Sequence, residues 1–501
     1  MAEAFPRAWA RHAGEHARDR RVLAFVKDSI LVTELGEMIP VLNWRTLAER
    51  IVALNLAVWV DAFDVPPLPS AGDDPDVEWT VRKDGTPVGL SFRAVGPYGR
   101  KRRYHIYSSL SGWGRRVSPK FLVDLRAVHI ALGVAKTPST ASGLGIAAME
   151  QGPGRWQGPR TYRLEWGLAK LMRDTLVGGR VDTILPNKAF PELFELDINE
   201  AYPTAAAERF PVGPSVLWLG YHEPTFGDDQ PFKTGYLYCR IEIRERLTLS
   251  PITIPGAPGD PNLNPAEPGV YHAWLWAEEM LHARQYREGT RRPIVVFPLY
   301  GYLFERWAER RGRAGMPLPG SPLRRWAQAF HRARIRLAGD GEQVAMVKAA
   351  SVAGLGRFAM GPEVYTLSSE RKSAEDVETV DPYSGAIRYR SVRVTDPATA
   401  LVHVFSYVMM RVRIMLFDKA LPYARAGALV ATNYDALYVL RRPRGIGSRR
   451  PGAWKLERLQ DAIIPYARAL RSAEKTRLPG IPYELRGGLT AWSSLGIGGT
   501  A

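Results

Sequence analysis

Short apolar runs bounded by turn residues open the chain. Residues 23–35 (LAFVKDSILVTEL) and 56–65 (LAVWVDAFDV) predict strands, with a proline-rich break at 66–75. Residues 77–97 and 103–109 predict further strands, with a turn at Asp84-Gly85. The glycine-rich stretch QGPGRWQGP at 151–159 reads as a domain boundary, and 160–174 as a helix. Strands are expected at 192–198, ending on Asp197, and at 234–244, followed by an irregular excursion over 249–268. Residues 321–338 read as a basic helix. AGDGEQ at 338–343 breaks it, and Asp340 is placed to cap a second helix running through Lys348 to the glycines at 354 and 356. A long apolar helix at 397–420, a tight turn at Gly427 and a strand at 428–440 follow. A helix is expected near 457–474, and no internal repeat is present.

Composition narrows the class. At 501 residues the chain exceeds one core, so two to four domains are expected. Hydrophobic residues make up 46%, which excludes wholesale disorder. Lys and Arg number 68 against 51 Asp and Glu, a net charge of +17. That excess points first to nucleic acid and second to an anionic membrane surface. The single cysteine, Cys239, rules out an internal disulfide or a Cys-based zinc site and fits a reducing cytoplasm. No apolar run reaches the ~18 residues of a membrane helix, and the basic N-terminus lacks an apolar signal core.

Two aspartates, Asp197 and Asp435, each sit in apolar strand sequence. Taken singly, each reads as an ordinary strand-end acid. As a pair on rigid strands, they suit phosphoryl transfer with two divalent cations, because hard cations want carboxylate oxygens.

Three segments place these acids in a familiar order. Asp197 opens DINEAYP, which resembles the D-x-x-S-L-Y-P motif of family B DNA polymerases. KAASVAGLGRF, from Lys348, resembles their fingers motif K-x-x-x-N-S-x-Y-G-K-F. TNYDALY resembles their Y-x-D-T-D-S palm hairpin. Further likeness points to the protein-primed subgroup of phages and linear plasmids. Leu176-Val177-Gly178-Gly179 resembles its Y-x-G-G template loop, and Lys475 with Arg477 its K-x-Y element. Excursions at about 211–312 and 359–395 fall where the subgroup carries terminal-protein insertions. The resemblance spans roughly 160–480.

The resemblance implies an α+β right-hand polymerase with an N-terminal α/β exonuclease-like domain. Its expected parts are an N-terminal domain at 1–159 and the first palm segment at 160–320. Fingers follow at 321–358, the second palm segment at 359–440, and a thumb and C-terminal region at 441–501. Asp197, Asp435 and the Ile198 carbonyl would hold two Mg²⁺ or Mn²⁺ ions. Tyr202 would lie beneath the incoming sugar and block a 2′-OH, and Lys348 would contact the triphosphate with help from Arg334 or Arg336. Gly178, Gly179, Arg357, Lys475 and Arg477 would contact template or duplex. Lys455, Arg468 and Arg471 are further phosphate candidates. The implied partners are primer-template DNA, deoxynucleoside triphosphates and a terminal protein, in the host cytoplasm and with no membrane.

The chain departs from the family pattern at several positions. Asn433 replaces the first hairpin acid, Ala436 its serine and Glu200 the serine of the first motif. Glu200 either adds a carboxylate near the metals or faces solvent. Val352, Ala353 and Leu355 replace the fingers Asn, Ser and Tyr, whereas Gly356, Arg357 and Phe358 persist in kind. In the N-terminal region Phe63 stands where a D-x-E pair would have its glutamate, and Ser109 and Trp113 or nearby glycines stand where a strand would end in Asn and Asp. Only Asp61, and at most Asp64, remain there, so proofreading is not expected. Three readings compete: a polymerase without proofreading, a polymerase-derived scaffold that grips DNA without extending it, and a basic protein whose motif matches are accidental.

Overall fold

The computed structural model describes residues 21–477 apart from 62–67, 69–76, 82–86, 96–100, 135–139, 152–163, 187, 257–261, 312–316, 319, 362, 369–373, 381–386, 395–400, 444–445, 447–449, 465–469 and 473–475. The fold is mixed α/β with large sheets. It divides into two compact units, Met1–Thr161 with Pro322–Ala400, and Tyr162–Ser321 with Leu401–Ala501. The Asp84-Gly85 turn, residues 152–159 of the glycine-rich stretch, Phe63, Asp64, Arg468 and Lys475 lie outside the described residues.

The first unit is built on a ten-stranded sheet. Its spatial order is Val377–Val380, Ile387–Val394, Glu363–Ser368, Val77–Val81, Pro87–Val95, Lys101–Ser108, Leu56–Val60, Val22–Lys27, Ile30–Thr33 and Met38–Pro40. Leu56–Val60 runs parallel to both neighbours and is buried throughout, as expected of a strand covered on two faces. Residues 23–35 form two strands rather than one. Lys27 pairs with Ile30 around Asp28 and Ser29, both left-handed (φ 51° and 58°), a two-residue turn whose twist suits a hairpin. The segment 359–395, expected as an insertion in the second palm part, adds three strands to this N-terminal sheet. Glu363–Ser368 pairs with Val77–Val81 and so satisfies backbone groups of that strand which would otherwise lie open at an edge.

The two helices expected around residue 340 are Arg324–Arg336 and Gly341–Gly356. Asp340 caps the second, accepting from the Glu342 and Gln343 amides at 2.9 and 3.2 Å. Lys120 Nζ bridges Asp340 and Asp124 at 2.8 and 2.9 Å, tying the cap to the helix Pro119–Leu132.

The second unit holds a seven-stranded and a four-stranded sheet. The first runs in the order Thr476–Arg477, Leu470–Arg471, Trp454–Ile463, Ala189–Ile198, Ala436–Val439, Leu429–Tyr434, Arg180–Thr183. The helix Val402–Arg425 covers one face through Leu416, Phe417 and Ala420, packed with Leu196, Leu437 and Val439. The excursion 211–312 supplies the four-stranded sheet, ordered Pro211–Trp218, Ile294–Trp307, Thr234–Ile243, Gly269–Trp276.

Two expectations change in this unit. Residues 428–440 are not one strand but a hairpin, Leu429–Tyr434 and Ala436–Val439, with Asp435 in its turn. The helix expected near 457–474 is absent from the described residues of that stretch. Trp454–Ile463 is instead a strand paired along its length with Ala189–Ile198. Helix formers such as Leu, Glu, Arg and Gln yield here to the ladder of the neighbouring strand, an override of local propensity by tertiary pairing. No helix among the described residues is long and apolar enough to cross a membrane.

Candidate active site

The strand Ala189–Ile198 sits between the hairpin and the strand Trp454–Ile463. Asp197 is the register partner of Ala436 on one side and Lys455 on the other. Ala436 in turn faces Asn433, which faces Val181. Val181, Asn433, Ala436, Asp197 and Lys455 therefore form one row across five strands, with side chains on one face. The next row, Asp182, Thr432, Leu437, Leu196 and Leu456, turns to the opposite face, where Leu196 and Leu437 pack in the core.

Asp435 lies one residue before Ala436. Its carbonyl accepts the Ile198 amide at 2.9 Å, and its own amide donates to Asn433 O at 2.8 Å. Partner residues on antiparallel strands stand about 4.5–5.5 Å apart at Cα, so the backbones carrying Asp197 and Asp435 are immediate neighbours. Both acids are half-buried. Turning the hairpin between them requires a left-handed residue, and Tyr434 takes that conformation at φ 59°.

Tyr202 completes the cluster. Glu200, also left-handed at φ 55°, leads from the Asp197 strand into the helix Ala201–Ala206. Burial pushes the Tyr202 phenol well above the usual tyrosine range, and Asp435, Tyr434 and Asp197 push it further. The hydroxyl stays protonated at neutral pH, under the field of both carboxylates.

The loop ahead of this site is held tightly. A Cβ on Gly179 would lie 2.3 Å from the Tyr434 ring and 3.0 Å from its Cα, so only glycine lets the loop meet the hairpin turn. The Val177 and Gly178 carbonyls accept from Arg413 at 2.9 and 3.0 Å, and the Gly179 carbonyl from Asn262 at 3.3 Å. Arg413 is buried and paired with Glu279 at 2.6 Å. Arg180 fixes the adjoining edge strand through Asp182 at 2.6 Å and the Ser250 carbonyl at 2.5 Å.

Other predicted residues lie elsewhere. Lys348, Arg334, Arg336 and Arg357 belong to the first unit, on the two helices and the short turn Arg357–Ala359. Lys348 and Arg336 are exposed, Arg334 and Arg357 half-buried. Val352, one turn beyond Lys348, is 39% exposed, whereas Leu355 and Phe358 are buried. Arg477 lies in a two-residue strand paired with Leu470. Lys455, a general phosphate candidate by sequence, lies beside Asp197 in register, and its ammonium pairs with Glu457. No local signal marks that neighbour, because strand register is non-local.

In the first unit Asp61 is engaged structurally. Its carboxylate accepts the Ser109 hydroxyl at 3.1 Å and the Val117 amide at 2.5 Å.

No protein-family model and no curated protein matches this sequence. Solved structures do match it. Phi29 DNA polymerase complexed with primer-template DNA aligns with a TM-score of 0.66 and 12% identity, covering 94% of each chain. Its ternary complex with primer-template DNA and incoming nucleotide substrates gives 0.65 at the same identity and coverage.

The chain has the fold of phi29 DNA polymerase.

An orthorhombic crystal form of that polymerase gives a TM-score of 0.64 over the same 94% of each chain. The likeness to phi29 DNA polymerase is thus carried by backbone path rather than by shared residues. Among the described residues, no group of three or more His, Cys, Asp and Glu is placed to hold a metal. Asp435 lies in the hairpin turn and Asp197 on the strand beside it.

Proposed function

We propose that the protein is a template-directed DNA polymerase that adds deoxynucleotides by two-metal phosphoryl transfer and lacks proofreading. One observation supports this most: within a phi29-like fold, the strand register sets Asp197 beside the hairpin turn that carries Asp435.

The donor set fits a hard divalent cation. It consists of one carboxylate on a strand, Asp197, one in the adjoining hairpin turn, Asp435, and a backbone carbonyl; both carboxylates are half-open to solvent, and no sulfur or imidazole lies in the row. Asp197, Asp435 and the Ile198 carbonyl would hold Mg²⁺ or Mn²⁺. Bound there, two such ions would activate the attacking oxygen and shield the leaving one. The other residues bind and orient. Tyr202, protonated and packed beside the acids, forms a floor under the incoming sugar and excludes a 2′-OH. Lys348, with Arg334 or Arg336, offers cations to the triphosphate. Gly178, Gly179, Arg357, Lys475 and Arg477 contact template or duplex. Asp61, already bonded to Ser109 and Val117, anchors structure in the N-terminal unit rather than serving an exonuclease.

Primer extension with Mg²⁺ or Mn²⁺ tests the reading. The expected result is incorporation by the parent that disappears in Asp197→Ala and Asp435→Ala, with no excision of a mismatched 3′ end. DNA binding that is independent of metal, with no incorporation, would overturn it in favour of a DNA-gripping scaffold. Leu355, a buried aliphatic where the family pattern has Tyr, favours that second reading.

A further inference from the structure

Asn433 stands where the family pattern has the first acid of the hairpin. It lies in the row of Ala436 and Asp197, on the same face of the sheet, two residues before Asp435. The residue is only 8% exposed, and its Oδ1 has no hydrogen-bond partner among the described residues. The preceding residue shows the contrast. Thr432 turns to the other face, where its hydroxyl donates to Asp182 at 2.7 Å and accepts the Asp182 amide at 2.9 Å.

A buried amide oxygen without a donor costs stability, and such atoms are rare in folded proteins. A leucine or valine would fill the position without that cost. The oxygen is explained if its partner arrives with function. Hard divalent cations accept side-chain amide oxygens alongside carboxylates, at the same coordination sphere.

We propose that Asn433 Oδ1 is a neutral ligand of the divalent metal held by Asp197 and Asp435. This rests on the two-metal reading and refines it. The substitution of the first hairpin acid keeps the oxygen and drops the charge. The site then binds its cation through two carboxylates, the Ile198 carbonyl and one amide oxygen, more weakly than a site with a third acid in place of the amide would.

The test is Mn²⁺ binding to the full-length protein without DNA or nucleotide, followed by electron paramagnetic resonance of the free ion. Thermal melting of the metal-free protein is measured in parallel. Asn433→Ala is expected to weaken Mn²⁺ binding about tenfold or more. Asn433→Asp is expected to tighten it. Metal-free Asn433→Ala should melt no lower than the parent, because the change removes an unpaired buried oxygen. Asp435→Ala should lose the site. If Asn433→Ala and the parent bind Mn²⁺ alike while Asp435→Ala loses binding, the ligand role of Asn433 falls and the two-metal reading stands. If the parent binds no Mn²⁺, or Asp435→Ala binds as the parent does, both fall together. A lower melting temperature for metal-free Asn433→Ala, with unchanged Mn²⁺ affinity, assigns Asn433 a structural role and overturns the proposal.

Discussion

Gly145 and Gly354 meet backbone to backbone. A Cβ on Gly145 would lie 2.6 Å from the Gly354 Cα and 2.3 Å from the Ala350 carbonyl oxygen, and a Cβ on Gly354 would lie 2.8 Å from the Gly145 Cα. The helices Ala141–Gln151 and Gly341–Gly356 therefore cross closer than any side chain permits. Trp326 Nε1 adds a hydrogen bond to the Gly145 carbonyl at 3.1 Å. The helix that carries Lys348 is thus fastened to a helix of the N-terminal segment.

Gly354→Val should destabilise the first unit by several kcal/mol, since forced overpacking alone typically costs about 1–3 kcal/mol and here the obstacle is backbone. Gly356, two residues on in the same helix, has nothing within 4 Å of a built Cβ. Gly356→Ala should be neutral or stabilising by up to about 1 kcal/mol. Urea unfolding of both variants separates a packing requirement from general helix propensity. Equal destabilisation would contradict the crossing argument.

Gly179→Ala should displace the Tyr434 turn, because the added methyl overlaps the Tyr434 ring and crowds its Cα. The expected outcome is a large loss of nucleotide incorporation with a fold that still melts cooperatively. Primer extension and calorimetry on one preparation distinguish this from global unfolding.

Arg413→Ala leaves Glu279 buried without its cation and frees the Val177 and Gly178 carbonyls. Breaking a buried pair from one side typically costs about 3–5 kcal/mol. The double variant Arg413→Met with Glu279→Leu should recover much of that loss, as apolar replacement of a buried pair often does. Chemical denaturation of the single and double variants measures the difference.

His403 is fully buried, and both ring nitrogens lack hydrogen-bond partners among the described residues. Burial lowers its pKa to about 3. Between that value and the ordinary histidine value of about 6.5, the unfolded chain binds the proton and the folded chain does not. Stability therefore falls as pH drops below about 6.5, by roughly 1.4 kcal/mol per pH unit, or about 2 kcal/mol from pH 7 to pH 5. His403→Leu should flatten that slope. A slope unchanged in the variant, measured by denaturation across this range, would refute the assignment.

The chain by itself determined those parts whose signals are local. The Asp340 cap, the helices on either side of it and the strand leading to Asp197 follow from residue types a few positions apart. Asp197 and Asp435 emerge as a candidate pair from motif order in the sequence, not from geometry. What the tertiary structure decided depends on contacts distant in sequence. The adjacency of Asp197 to the Asp435 turn and to Lys455 is a matter of strand register, and a one-residue slip would send Asp197 to the opposite face. Trp454–Ile463 has a sequence that could coil, and it is a strand because the Asp197 strand takes up its backbone hydrogen bonds. The glycines at 145 and 354 announce nothing singly, because a close crossing exists only once two helices meet.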